Sequence, residues 1–187
     1  MISQDIVNEV WRSIDGYINY QVSNIGRIRN CNNGRILKPS QRNGYLQIGL
    51  ITAEGKQQHH RIHRLVAGEF LEQPDDECRK FVDHIDGNRL NNTVNNLRWA
   101  TATENSRNRK KVSNPTSSKN KGVNWYADSK KWRARIQTDT QRLHIGYFDN
   151  EIDAAKAYNN KAIELFGEFA SLNDLEDDAS TATSSNA

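Results

Sequence analysis

The rhythm of polar and apolar positions changes several times along the chain, and each change marks an element. Over the first fifty residues, short apolar or aromatic runs alternate with turn formers. Trp11-Arg12-Ser13-Ile14 precedes Asp15-Gly16, Tyr20-Gln21-Val22 precedes Ser23-Asn24-Ile25-Gly26, and Arg27-Ile28-Arg29 precedes Asn32-Asn33-Gly34, with Tyr45-Leu46-Gln47-Ile48-Gly49-Leu50 beyond. That spacing predicts small antiparallel hairpins. Alternation in Arg27-Ile28-Arg29 and Gln47-Ile48 predicts that Ile28 and Ile48 turn to a core, while Arg27, Arg29 and Gln47 face a partner or solvent.

Residues 61–71 switch to a helical period, with Ile62, Leu65, Val66 and Phe70 on one stripe ahead of Pro74. A packing helix is expected, with His63 as a structural residue beside the stripe. Phe81-Val82 begins a short strand, the Asn/Asp/Gly-rich stretch after it is loop, and Leu97-Arg98-Trp99-Ala100 is a second strand. Thr101 or Thr103 then caps a short helix carrying Asn105. After Gly122, three strands precede one helix. In Lys131–Gln137, Trp132, Ala134 and Ile136 share one face and Arg133, Arg135 and Gln137 the other. In Arg142–Phe148, Leu143 and Ile145 oppose Arg142 and His144. Asp149 or Asn150 caps the closing helix, whose stripe of Ala155, Tyr158, Ala162, Leu165 and Phe166 is expected to cover the apolar face of the sheet.

Only 35% of the 187 residues are hydrophobic and 26% are charged, so one large core is excluded and several thin modules are expected. Composition divides the chain into 7–54, 55–108, a basic linker 109–121, 122–173, and an acidic tail 174–187 read as disordered. There is no internal repeat. The net charge of +3 is modest, but residues 106–121 hold Arg107, Arg109, Lys110, Lys111, Lys119 and Lys121 with no acid among them, a stretch suited to a phosphate backbone. Cys31 and Cys78 lie too far apart in sequence for a C-x-x-C zinc pair and read as reduced thiols. The N-terminus lacks a signal pattern, and nothing approaches the roughly 20 apolar residues that span a bilayer, so a cytoplasmic protein without a membrane partner is expected.

The stretch from Phe81 to Asn105 carries the chemistry. Phosphodiester cleavage needs a nucleophilic water, a base for its proton, and positive charge beside the leaving oxygen. A neutral imidazole such as His84 serves as the base, and a carboxylate with an amide oxygen suits magnesium or manganese. Neighbours on a strand point to opposite faces, so Asp83 and His84 can share a site only if the strand ends or twists there.

The run Val82-Asp83-His84-Ile85-Asp86-Gly87-Asn88, then Asn96-Leu97-Arg98-Trp99-Ala100-Thr101, then Glu104-Asn105, resembles the ββα-metal motif of HNH endonucleases in the asparagine-rich form of phage intron homing enzymes. The resemblance implies that Asp83 and Asn105 hold Mg2+ or Mn2+, that His84 activates water, and that Asn96 fixes the loop or orients the base and the scissile phosphate. Asn105 stands where the name-giving pattern has its last histidine, which makes the ligand set oxygen-rich. Asp86, Asn88 and Arg89 are expected to steady the loop or touch phosphate. Upstream, Trp11, Gly16-Tyr17, the run Tyr20–Ile28, Leu37-Lys38-Pro39 and Gly44-Tyr45 resemble the NUMOD-type element that precedes such cores. Residues 121–173 resemble the Apetala/ethylene-response-factor type DNA-binding domain. By that resemblance Arg133, Arg135, Gln137, Arg142 and His144 fall on DNA-facing strand sites. Asn124, Tyr126 and His144 depart from the plant pattern, which leaves the target sequence open.

The fold expected is α+β: N-terminal β-hairpins, a central ββα-metal core, and a C-terminal three-stranded antiparallel sheet packed on one helix. The expected function is a site-specific homing-type endonuclease, phage-encoded and acting in a bacterial host. It would hydrolyse double-stranded DNA and nick it, because each chain holds one site. With no heptad or self-complementary stripe, a monomer is expected. The alternative is a catalytically inactive DNA-binding transcriptional regulator, and a third reading is an RNA-binding or structural protein.

Overall fold

The computed structural model describes residues 8–109 and 117–175. The chain is α+β and divides into two compact units, Met1–Asn105 and Ser106–Ala187. Lys110, Lys111 and most of the acidic tail lie outside the described residues.

In the first unit β1 (Trp11–Ile14), β2 (Tyr17–Ser23) and β3 (Ile28–Asn30) form an antiparallel sheet in chain order. A second sheet joins β4 (Ser40–Arg42), β5 (Tyr45–Ile51) and β6 (Gln57–Arg61). The segment boundary that composition draws after residue 54 falls in the turn between β5 and β6, where Thr52 N–H bonds Lys56 O at 2.9 Å. Strand β6 does not show in the sequence, because Gln-Gln-His-His-Arg has no apolar alternation; its ladder with β5, from Gln47↔Arg61 to Ile51↔Gln57, holds it extended.

Helix α1 (Ile62–Phe70) follows directly. Its buried positions are Ile62, His63, Val66 and Ala67, with Leu65 and Phe70 only half buried. The buried stripe is therefore turned from the one the apolar residues trace, and His63 lies within it. Then come β7 (Phe81–His84) and β8 (Leu97–Ala100), paired antiparallel, and α2 (Ala102–Arg107). One cluster unites Val22 and Ile28 of the first sheet, Ile48 and Leu50 of the second, Ile62 and Val66 of α1, and Val82 and Leu97 of the β7–β8 pair. No segment here has enough apolar residues for a core of its own, so the hairpins and the ββα element pool theirs.

In the second unit β9 (Val123–Tyr126), β10 (Lys131–Gln137) and β11 (Arg142–Phe148) form a sheet of order β11-β10-β9, followed by α3 (Glu151–Phe166). Ala154, Ala155, Tyr158 and Ala162 of α3 are buried, and the first two pack with Val123 and Ala134 while the others pack with Ile136. Small residues let helix and sheet approach closely. Gly122 has φ +75°, and a Cβ there would collide with the Tyr158 ring and Arg135 O, so only glycine fits that approach. Of the two expected caps, Asn150 is used: its Oδ1 accepts from Asp153 N–H at 2.8 Å. Among the described residues no helix is long and apolar enough to cross a membrane.

Candidate active site

Asp83 and His84 end β7, and both are buried, at 4% and 5% exposed. They follow strand alternation and meet different neighbours. Asp83 lies across from Arg98 on β8, and its Oδ2 accepts from Arg98 Nε at 3.0 Å and from a terminal guanidinium nitrogen at 2.8 Å. A buried carboxylate held by two charge-assisted bonds has a fixed orientation.

His84 meets a set of residues from outside the motif. Asn92 Nδ2 donates to Leu90 O at 3.2 Å, which turns Asn92 Oδ1 toward His84 Nε2, 3.1 Å away. An amide oxygen only accepts, so Nε2 carries the ring hydrogen and Nδ1 is the basic nitrogen. The His63 ring stands edge-on to the His84 ring at 4.9 Å between centroids, and Tyr45 lies 5.1 Å from His63 and 6.2 Å from His84. Burial lowers the pKa of His84, while the Asn92 bond and the Asp83 and Asp86 carboxylates pull it back up and Arg89 opposes them. The ring is therefore neutral at neutral pH. Burial pushes His63 down to about 3, with His84, Arg61 and Arg64 adding to the effect, and its buried Nδ1 has no hydrogen-bond partner among the described residues. His63 thus belongs to the surroundings of His84, and sequence periodicity gave no sign of this.

The loop between β7 and β8 is held by amides. Asn96 Oδ1 accepts from Asp86 N–H at 3.0 Å, and its Nδ2 donates to Asp86 Oδ1 and to Asn91 O, both at 2.9 Å. Burial alone would raise the pKa of Asp86, but bonds from Asn91, the Asn88 backbone and Asn96 outweigh it and lower the pKa. Asn96 thus locks the loop. Asn105 sits half buried on α2, whose first turn is a capping box: Thr101 Oγ1 accepts from Glu104 N–H at 3.2 Å, and Glu104 Oε2 accepts from Thr101 N–H at 2.8 Å. Glu104 also pairs with Arg79 at 2.9 Å, which fixes the helix.

Asp83 and Asn105 carry oxygen donors, the kind a hard divalent ion takes, and Asp83 Oδ2 is already bonded to Arg98. Among the described residues no three His, Cys, Asp or Glu side chains gather into a cage. An ion held by two such ligands keeps water and phosphate oxygens in its shell, as magnesium does.

The residues expected to touch nucleic acid have varied surroundings. Arg27 pairs with Glu9, and the guanidiniums of Arg27 and Arg29 lie over the Trp11 ring at 5.8 and 4.4 Å. Gln47 is half buried within β5. Arg89 is exposed and stacks on Tyr45 at 4.7 Å, with Arg61 also over that ring at 4.6 Å. In the second unit Arg107 is engaged with Asp139 at 2.6 Å and lies over Phe166, whereas Arg109 is exposed. Arg133 stacks on Tyr126, Arg135 reaches Asn124 at 3.4 Å, Gln137 accepts from Arg142, and His144 stacks near Tyr147. Arg133, Arg135, Gln137, Arg142 and His144 are all on β10 and β11, and β10 pairs Arg135 with His144 and Gln137 with Arg142 across the ladder.

Comparison with known proteins identifies the site-bearing half. The NUMOD4 motif matches residues 9–51, and the HNH endonuclease family matches residues 58–107. The chain is 42% identical over 100 residues to the uncharacterized HNH endonuclease L247 of Acanthamoeba polyphaga mimivirus, covering 52% of this chain and 25% of that one. It is 43% identical over 93 residues to the DNA endonuclease I-HmuI of Bacillus phage SP01, covering 49% of this chain and 52% of that one. A solved structure described as DNA binding and cleavage by the HNH homing endonuclease I-HmuI aligns at 42% identity over 53% of this chain and 56% of that chain, with a TM-score of 0.48. The chain spans about half or less of the length of these relatives. Protein 3.8 of Escherichia phage T7 is 36% identical over 90 residues, 48% of this chain and 73% of that protein. The HNH endonuclease family match thus lies on the β7–β8–α2 element and the strand and helix before it, which makes residues 58–107 similar to an HNH endonuclease domain.

Proposed function

We propose that the protein is a site-specific, homing-type endonuclease that hydrolyses phosphodiester bonds of double-stranded DNA, one strand per active site. One observation carries this reading: a buried, neutral imidazole, His84, has one nitrogen tied to Asn92 and the other basic, and it follows a carboxylate fixed by Arg98. In the reaction His84 Nδ1 takes the proton of the attacking water. Asp83 and Asn105 would hold a divalent ion, magnesium or manganese, which supplies positive charge beside the leaving oxygen. Arg98 keeps the Asp83 carboxylate in one orientation, Asn96 keeps the loop in one shape, and Arg89, at the surface on Tyr45, is available to a phosphate.

Residues 7–54 would lay hairpins on DNA through Arg27, Arg29 and Gln47, with 55–108 as the nuclease core. Arg107, at the end of α2, and Arg109, Lys110 and Lys111, in the linker 109–121, would follow the backbone. Residues 122–173 would bind as an Apetala/ethylene-response-factor type domain through Arg133, Arg135, Gln137, Arg142 and His144. The arrangement of three strands and a helix, with these side chains on β10 and β11, supports that reading. Supercoiled plasmid incubated with the protein and magnesium is the test. Nicked circles in magnesium and none in chelator are expected; plasmid that is bound but never cut would favour an inactive regulator.

A further inference from the structure

The Ser23–Gly26 turn between β2 and β3 lies against the loop that holds the His84 ring. Gly26 has φ +82°, and a Cβ on it would stand 2.9 Å from Asn92 Cβ and 3.1 Å from Asn92 O. Beside this contact Val94 N–H donates to Asn24 O at 2.8 Å, which joins turn and loop through their backbones. The turn is itself braced. Asn24 Oδ1 accepts from Val10 N–H at 2.9 Å, Asn24 Nδ2 donates to Asn8 O at 3.2 Å, and the fully buried Ser23 accepts at Oγ from Arg27 N–H at 3.0 Å. On the far side of this contact Asn92, 4% exposed, presents its Oδ1 to His84 Nε2. A braced turn, an asparagine and an imidazole are therefore in series.

We propose that the first sheet is part of the catalytic apparatus: the Ser23–Gly26 turn positions Asn92, and Asn92 holds the His84 ring with its hydrogen on Nε2. Gly26 and Asn92 are positioning residues for strand cleavage, a role that rests on His84 being the base. Gly26 is suited to the role twice over, because a side chain would strain the left-handed backbone and would push Asn92 at its Cβ and carbonyl. Hairpins that only grip DNA have no need to touch this asparagine.

The test uses the full chain as wild type, Gly26→Ala and Asn92→Leu, with three readouts. These are the single-turnover cleavage rate at saturating duplex, the duplex Kd, and the nitrogen-15 signature of the His84 ring tautomer. A rate loss of about tenfold or more with Kd held within about twofold is expected for both variants, as for small misplacements of a catalytic group. The His84 signature is expected to leave the pure Nε2–H form in both. Retention of the Nε2–H form and of the full rate in Asn92→Leu would overturn the proposal, and so would a loss confined to Kd. If Gly26→Ala does not fold, Asn92→Leu decides. Should His84→Ala cleave as fast as wild type, the base assignment fails separately, and the tautomer readout still judges the link from Asn92 to the ring without any cleavage.

Discussion

The two units bury polar groups to different ends. In Met1–Asn105, His63, Asp83, His84, Asn92 and Asn96 are all buried on or around β7 and its loop, where each desolvated group needs a partner. In Ser106–Ala187 the core is built around alanines, and buried polar atoms stitch the chain: Ser118 Oγ and Asn120 Nδ2 both donate to Glu151 Oε1 at 2.7 Å, tying the segment before β9 to the start of α3. Arg142, on the sheet of the second unit, is exposed. Concentrated buried polarity is what the proposed chemistry would need, whereas an alanine-rich core beneath strands bearing Arg133, Arg135 and Arg142 is what the proposed recognition would need.

Removing a polar partner from the first unit breaks that comparison hardest. Asp83→Ala takes the carboxylate from a guanidinium only 12% exposed, and a loss of about 3–5 kcal/mol is expected in urea unfolding. Leu50→Ala, in the core shared by hairpins and ββα element, is expected to cost about 2–5 kcal/mol. Hydrogen exchange should loosen β2, β5, α1 and β7 together in that variant and leave β10 and α3 protected.

Acid sharpens the contrast. Folded His63 is neutral because burial pushes its pKa to about 3, while in the unfolded chain it has the ordinary value near 6.5. Between those values the unfolded chain binds a proton that the folded chain does not, so stability falls as pH drops from 6.5 toward 3 and is indifferent to this group above 6.5. His60 and His84, also lowered by burial, act with the same sign. Denaturant midpoints measured from pH 7 to pH 4 should decline, and His63→Phe should flatten part of that decline.

In the second unit, Arg135→Ala should weaken duplex binding by about 1–3 kcal/mol and lower the salt slope by about one, read by titrations at several salt concentrations. The smallest effect is that of Asn150→Ala, which removes the α3 cap and should cost about 1 kcal/mol in thermal unfolding.

Much of this was legible in the residues. β8 runs from Leu97 to Ala100 as the pattern predicts, Asn105 falls on the helix, and the alternation of β10 and β11, interrupted by a bulge at Ala134/Arg135, yields the sheet that α3 covers. What was not legible depends on contacts distant in sequence. Strand β6 exists through its partner β5, and one core cluster draws side chains from both sides of residue 54. Asn92 reads as one more loop amide until its oxygen is seen facing His84, and Arg98 reads as a strand cation until it meets Asp83. Periodicity reports which face of an element is buried, and says nothing of what lies on the other side.

The most direct measurement is single-turnover cleavage of a duplex by His84→Ala beside wild type, with duplex Kd determined for both. A rate lower by about 10²–10⁴-fold, the usual contribution of a positioned base, is expected, with affinity unchanged. A His84→Ala protein that cuts at the wild-type rate would contradict that expectation.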